Sequence, residues 1–283
     1  MDLNGLVFPS PKFDFYIVKQ FNDELIYIPI NNPEKHHIPC LLIQDKTSKL
    51  SKNFIIVFHG NAEDVFSARS MGNSLHQKIG MNVIIVEYPG YSIYKGESEA
   101  DKILQDTIII YDFIKKLFNL EDKNIFIFGR SIGTSPAIYL ASMRKPNALF
   151  IVSAFTSIRA VADNLVGPLR YLLKERLSSK DYIKNVTCPI LFIHGQSDPL
   201  IPFKETLLLK EKCDCPYEVL LPEDMTHNDF DLDEDIIDPI NKFIKRNCVV
   251  DYEKNEFKNY DEQIKKLFEM PEEINEYIQK NLK

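Results

Sequence analysis

No apolar stretch in the chain approaches the ~20 residues needed to cross a bilayer, so no transmembrane segment is expected. A basic leader followed by an apolar run is also missing, which argues against a secretory signal. Position 2 is Asp rather than Gly, and the chain closes on Asn281-Leu282-Lys283, so neither N-myristoylation nor prenylation is expected. Cysteine is scarce: Cys40, Cys188, Cys213, Cys215 and Cys248 are an odd set without zinc spacing. Cys213-x-Cys215, with no neighbouring histidine, reads as plain thiols, and no metal or cofactor is expected. The set suits a reducing, cytoplasmic setting. Basic residues do not dominate either. With 34 Lys and Arg against 41 Asp and Glu, the net charge is -7, and nucleic acid is excluded as a partner for want of a concentrated basic surface. Internal repeats and low-complexity tracts are absent. What remains is a globular composition, 45% hydrophobic and 27% charged, with enough apolar surface for a sizeable core.

Short β-type runs alternate with helical patterns along most of the chain. Phe13 to Val18, Leu25 to Ile30 and Ile38 to Ile43 read as strands separated by polar turns, antiparallel because no long helix intervenes. Later runs, within Asn53 to Phe58 and at Val83 to Val86, Ile125 to Phe128, Leu149 to Val152 and Ile190 to Ile193, are continuously apolar. Such strands suit a parallel sheet covered on both faces. Helices are expected at about 64–79, 100–118, 131–143 and 203–211, and a last strand at Tyr217 to Leu221. The fold class is therefore α/β: a doubly wound, mostly parallel sheet with antiparallel N-terminal strands. One domain is expected over 1–248, with a small helical insert at about 155–186. The insert carries the apolar cluster Val161, Leu165, Leu169, Tyr171, Leu172 and Leu173. Residues 249–283 read as a charged, amphipathic helical appendage broken at Pro271.

The run Ile125 to Phe128 leads into Gly129-Arg130-Ser131-Ile132-Gly133, and a helical pattern follows. A G-x-S-x-G on a strand-to-helix turn holds a serine on strained backbone with Oγ projecting above the sheet. The flanking glycines allow strand and helix to approach closely. A serine hydroxyl needs a base, and in this arrangement the chain order is Ser, then acid, then His. Asp198 follows the strand Ile190 to Ile193, on the sheet edge where such folds place their sites. His227 is the sole histidine beyond Asp198, so the base assignment is forced. Asp198 would fix the tautomer of His227, leaving Nε2 to take the Ser131 proton. The main-chain N–H groups of Ile132 and of Asn61, in the loop after Phe54 to Phe58, are the expected oxyanion donors. His59 and His194 read as framework residues, and His36, His37 and His76 as surface positions.

Together HGNAED (His59–Asp64), EYPGYS (Glu87–Ser92), GRSIGT (Gly129–Thr134), HGQSDPLIP (His194–Pro202) and MTHND (Met225–Asp229) resemble the α/β-hydrolase-domain serine hydrolases that include protein depalmitoylases. The resemblance spans about residues 50–245. It implies Ser131, Asp198 and His227 as triad, Asn61 and Ile132 as oxyanion hole, and cleavage of an acyl ester or thioester through an acyl-enzyme. Substrates would be acylated small molecules or lipidated proteins, with peripheral membrane contact. The chain departs from the pattern in lacking an N-terminal cysteine cluster, which weakens the case for stable anchoring, and in carrying Glu87 for the usual aspartate. The apolar insert serves equally as an acyl-chain wall or as ordinary packing. A serine peptidase, a lipid or carboxyl esterase, and a noncatalytic binding module are the alternatives.

Overall fold

The computed structural model describes residues 11, 15–30, 36–45, 49–161, 177–250, 254–256 and 262–281. The chain divides into two compact units, one of Asp2–Leu120 with Tyr252–Lys283 and one of Glu121–Asp251.

The first unit begins with α1 (Phe15–Gln20) and continues through β1 (Leu25–Pro29), β2 (His37–Ile43), β3 (Lys49–Ser51) and β4 (Phe54–Phe58). Then come α2 (Arg69–Ile79), β5 (Asn82–Val86) and α3 (Ala100–Leu117). Its sheet runs β1-β2-β5-β4, with β1/β2 and β2/β5 antiparallel and β5/β4 parallel. The expected strand at Phe13 to Val18 is corrected, because Phe15–Gln20 is helical. Val18 and Phe21, three residues apart, share one helical face; Val18 is buried and Phe21 stacks on Phe66 at 5.8 Å. The helix expected from Asp64 starts five residues later, at Arg69. Asp64 instead ties a turn through the Ser67 N–H at 2.8 Å. In α3 the buried Ile103, Leu104, Ile110, Tyr111 and Ile114 recur at the helical period.

The second unit is built on β6 (Ile125–Arg130), a 3₁₀ turn (Ser131–Gly133), α4 (Thr134–Met143) and β7 (Ala148–Val152). After these come α5 (Ser179–Tyr182), β8 (Ile190–Ile193), α6 (Lys204–Lys210), β9 (Tyr217–Leu220) and α7 (Asp238–Asn247), the last entered through a π-helical turn. The strands run β6-β7-β8-β9, all parallel. Their register aligns Arg130 with Val152, Val152 with Ile193 and Ile193 with Leu220, so the strands end level and their outgoing loops share one edge. The expected insert falls largely outside the described residues; the cluster Leu165, Leu169, Tyr171, Leu172 and Leu173 lies there, and Ile158–Val161 and α5 flank it.

The C-terminal segment belongs to the first unit. There β10 (Lys254–Glu256) pairs antiparallel with β3, and α8 (Glu262–Leu267) and α9 (Glu272–Asn281) are divided at Pro271 as the sequence suggests. Ile264, Leu267, Ile274 and Ile278 are buried, and His37 Nδ1 meets Glu273 at 2.6 Å. Among the described residues no helix is long and apolar enough to cross a membrane.

Candidate active site

Ser131 sits immediately after β6 with φ +52°, a left-handed value that L side chains rarely adopt. The turn survives because its neighbours leave no alternative. A Cβ on Gly129 would lie 2.5 Å from the Gly133 carbonyl oxygen and 2.7 Å from the Ala137 Cβ, so strand and helix close upon each other only with glycine there. Thr134 Oγ1 donates to the Ser131 carbonyl at 2.7 Å, and α4 carries the chain away along an almost wholly buried face.

The three separated residues meet. His227 Nε2 lies 3.0 Å from Ser131 Oγ, and His227 Nδ1 lies 2.7 Å from Asp198 Oδ2. All three are under 10% exposed. The second Asp198 oxygen accepts the Leu200 and Ile201 N–H groups at 2.8 and 2.9 Å. Burial alone would raise the Asp198 pKa, but hydrogen bonds from His194, His227 and the Ile201 amide outweigh it and hold the carboxyl well below its ordinary range. An ionised Asp198 accepts from Nδ1–H and leaves Nε2 as the acceptor for the serine hydroxyl, the tautomer a general base needs. The constellation can take a proton from Ser131 and stabilise the imidazolium that results.

His194 is a framework residue, as expected. Its Nδ1 bonds Thr206 Oγ1 at 2.7 Å, and its Nε2 bonds the Ile201 carbonyl at 2.8 Å and approaches Asp198 Oδ2 at 3.4 Å. It therefore props the acid. His59 is likewise buried, with Nδ1 on the Gly60 carbonyl at 2.9 Å and Nε2 on Glu87 at 3.2 Å. His37 is half-buried against Glu273, and His76 reaches the Met81 carbonyl at 2.8 Å, so neither is a bare surface position.

Ile132 is the second residue of the helical turn Ser131–Gly133, where first-turn N–H groups have no intrahelical acceptor. Asn61 belongs to the first unit, in the tight turn following β4. Its Oδ1 accepts from Tyr91 OH at 2.8 Å, Glu63 accepts the Gly60 N–H at 2.6 Å, and Ala62 takes φ +58°. Glu87, marked in the sequence as standing for the usual aspartate, is the hub of this loop. It is fully buried and accepts from Val65 N–H and Tyr88 N–H besides its contact with His59. The signal was a carboxylate directly after an apolar strand, which cannot be buried without donors. Gly195 was not singled out from sequence as a site residue. Only folding brings Met225 against it.

No family model matches the chain. The chain is 26% identical to the human alpha/beta hydrolase domain-containing protein 17B over 240 residues, covering 85% of this chain and 82% of the relative. It is 28% identical to the mouse alpha/beta hydrolase domain-containing protein 17C over 209 residues, covering 74% and 64%. Among solved structures, the Pyrococcus furiosus esterase Pf2001 superposes with a TM-score of 0.68 at 16% identity, covering 85% of this chain and 98% of that one. Est1E from Butyrivibrio proteoclasticus gives 0.60 at 16%, covering 79% and 98%. These likenesses show the fold, a mostly parallel sheet with antiparallel N-terminal strands. The chain thus has the α/β-hydrolase fold, carries the Ser131–His227–Asp198 geometry, and is similar to proteins 17B and 17C.

Proposed function

We propose that this α/β-hydrolase cleaves acyl esters or thioesters through an acyl-enzyme on Ser131, with S-acylated protein cysteines as the favoured substrate class. The observation that carries the reading is the unbroken relay from Ser131 Oγ to His227 Nε2 at 3.0 Å and from His227 Nδ1 to Asp198 at 2.7 Å. His227 takes the hydroxyl proton as Oγ attacks the acyl carbon. It then returns that proton to the leaving thiol or alcohol, and a water activated by the same imidazole releases the acid. The main-chain N–H group of Ile132, next after the nucleophile, is assigned to the tetrahedral oxyanion; loss of one such donor costs about 2.7–4 kcal/mol in barrier lowering. The preference for acylated cysteine rests on the motif resemblance and on the similarity to proteins 17B and 17C, and a cytoplasmic protein that touches membranes peripherally suits it.

A fluorophosphonate probe tests the nucleophile. Wild type is expected to label strongly and Ser131→Ala not at all; equal labelling sinks the assignment. Acyl thioesters and p-nitrophenyl esters of graded chain length then separate a depalmitoylase-like enzyme from a short-chain esterase. Failure to hydrolyse any of them would favour a noncatalytic binding module.

A further inference from the structure

Arg130 precedes the nucleophile, yet its side chain serves a different strand end. Its Nη2 donates to the His227 carbonyl oxygen at 2.7 Å and to Asn228 Oδ1 at 2.8 Å. The guanidinium lies over the Phe230 ring, 5.5 Å from its centroid. Arg130 is 9% exposed, so its contact with the buried His227 carbonyl is sheltered from competing water. One amide-like nitrogen with two hydrogens thus holds the backbone of the general base and the side chain after it, while the aromatic face beyond completes the clamp. The same loop is also tied to itself, where Thr226 and Asp229 exchange hydrogen bonds at 2.9 Å. It is tied to the Asp198 loop as well, where Ser197 Oγ donates to the Glu223 carbonyl at 2.7 Å and His227 Nδ1 meets Asp198 at 2.7 Å. The Arg130 contacts alone tie it to the residue before Ser131.

We propose that Arg130 is a positioning residue. It fixes the His227 loop relative to the nucleophile that follows it in the chain, and it sets the Ser131–His227 distance on which proton transfer depends. This assignment rests on the acyl-transfer reading above. Because Arg130 and Ser131 are adjacent, any displacement of the loop registers directly as a change in the base-to-nucleophile separation. Misplacement by about 1 Å can cost on the order of 10²-fold in rate. The carbonyl contact explains why the base, and not substrate, feels the guanidinium. Arginine suits the position because one flat NH₂ reaches both acceptors while the rest of the delocalised guanidinium lies over Phe230, which a compact lysine ammonium cannot match.

The test measures kcat and KM separately for p-nitrophenyl ester and thioester hydrolysis in wild type, Arg130→Lys, Arg130→Met and Ser131→Ala. Arg130→Met is expected to lose about 10²-fold in kcat with KM within about threefold, since the clamp touches base and not substrate. Arg130→Lys is expected to recover part of that loss, and millimolar guanidinium to restore part of the Arg130→Met rate but none of Ser131→Ala. A folded Arg130→Met with wild-type kcat overturns the proposal, as does a loss confined to KM. If Arg130→Met does not fold, Arg130→Lys decides: kcat down about tenfold supports the clamp, and an unchanged kcat overturns it. An inactive wild type that also fails to label with fluorophosphonate removes the acyl-transfer reading itself, a result distinct from either.

Discussion

Gly195 and Met225 are in contact so close that a Cβ on the glycine would lie 1.9 Å from the Met225 carbonyl oxygen. The first residue opens the loop that bears Asp198, and the second lies two residues before His227. Backbone thus packs on backbone where the two loops meet, close to the 2.7 Å hydrogen bond between His227 Nδ1 and Asp198.

Gly195→Ala should force these loops apart. Overpacking of this kind costs about 1–3 kcal/mol of stability. Urea unfolding should show that loss, and kcat should fall by more than tenfold because the triad must open to admit the methyl group.

Gly129→Ala tests the nucleophile turn in the same way, since its Cβ would lie 2.5 Å from the Gly133 carbonyl oxygen. A stability loss of about 1–3 kcal/mol is expected, together with slower fluorophosphonate labelling as φ of Ser131 relaxes. Wild-type labelling kinetics in a folded variant would show that the turn does not depend on this glycine.

Asp198→Asn should lower kcat by on the order of 10⁴, because an amide cannot hold the catalytic tautomer. The same carboxyl has a pKa depressed in the folded state relative to about 3.9 in an unfolded chain. Its contribution to stability is therefore present above about pH 4 and is lost as pH falls towards the folded value. Acid unfolding curves of wild type and Asp198→Asn should differ most at neutral pH and converge on acidification. Parallel curves would exclude this linkage.

Glu87→Gln addresses the first unit. Burial alone would lower the His59 pKa, but the contact with Glu87 reverses this and raises it. A raised histidine stabilises the fold below its unfolded value of about 6.5, and that contribution disappears as pH climbs through the folded one. The variant should lose about 1–3 kcal/mol, because an amide NH₂ must face one of the donors Glu87 accepts. Its stability should also decline less than that of wild type between neutral and alkaline pH. Thermal unfolding across that range checks both statements.

The strands buried on both faces were legible because their signal is local: five consecutive apolar residues at β4, and four each at β5 and β8, leave no polar face. The order Ser131, Asp198, His227 was legible because strand ends supply the site and one histidine alone lies downstream. Phe15–Gln20 was misread, since a six-residue apolar-rich segment satisfies both periods and the Phe21–Phe66 contact settles it from elsewhere in the chain. β3 and β10 were missed because their three-residue pairing joins segments some 200 residues apart, with no pattern in either strand alone.

Sequence by itself singled out Ser131, Asp198 and His227, because residue type and place after a strand are enough to pick a candidate nucleophile, acid and base. Tertiary structure decided what packs around them, the absent side chain at Gly195 and the Arg130 Nη2 on the His227 carbonyl, and in the first unit it decided which donors close on Glu87. Those depend on which loops lie side by side at the level ends of the strands, and a one-dimensional pattern does not encode the separation between atoms distant in the chain.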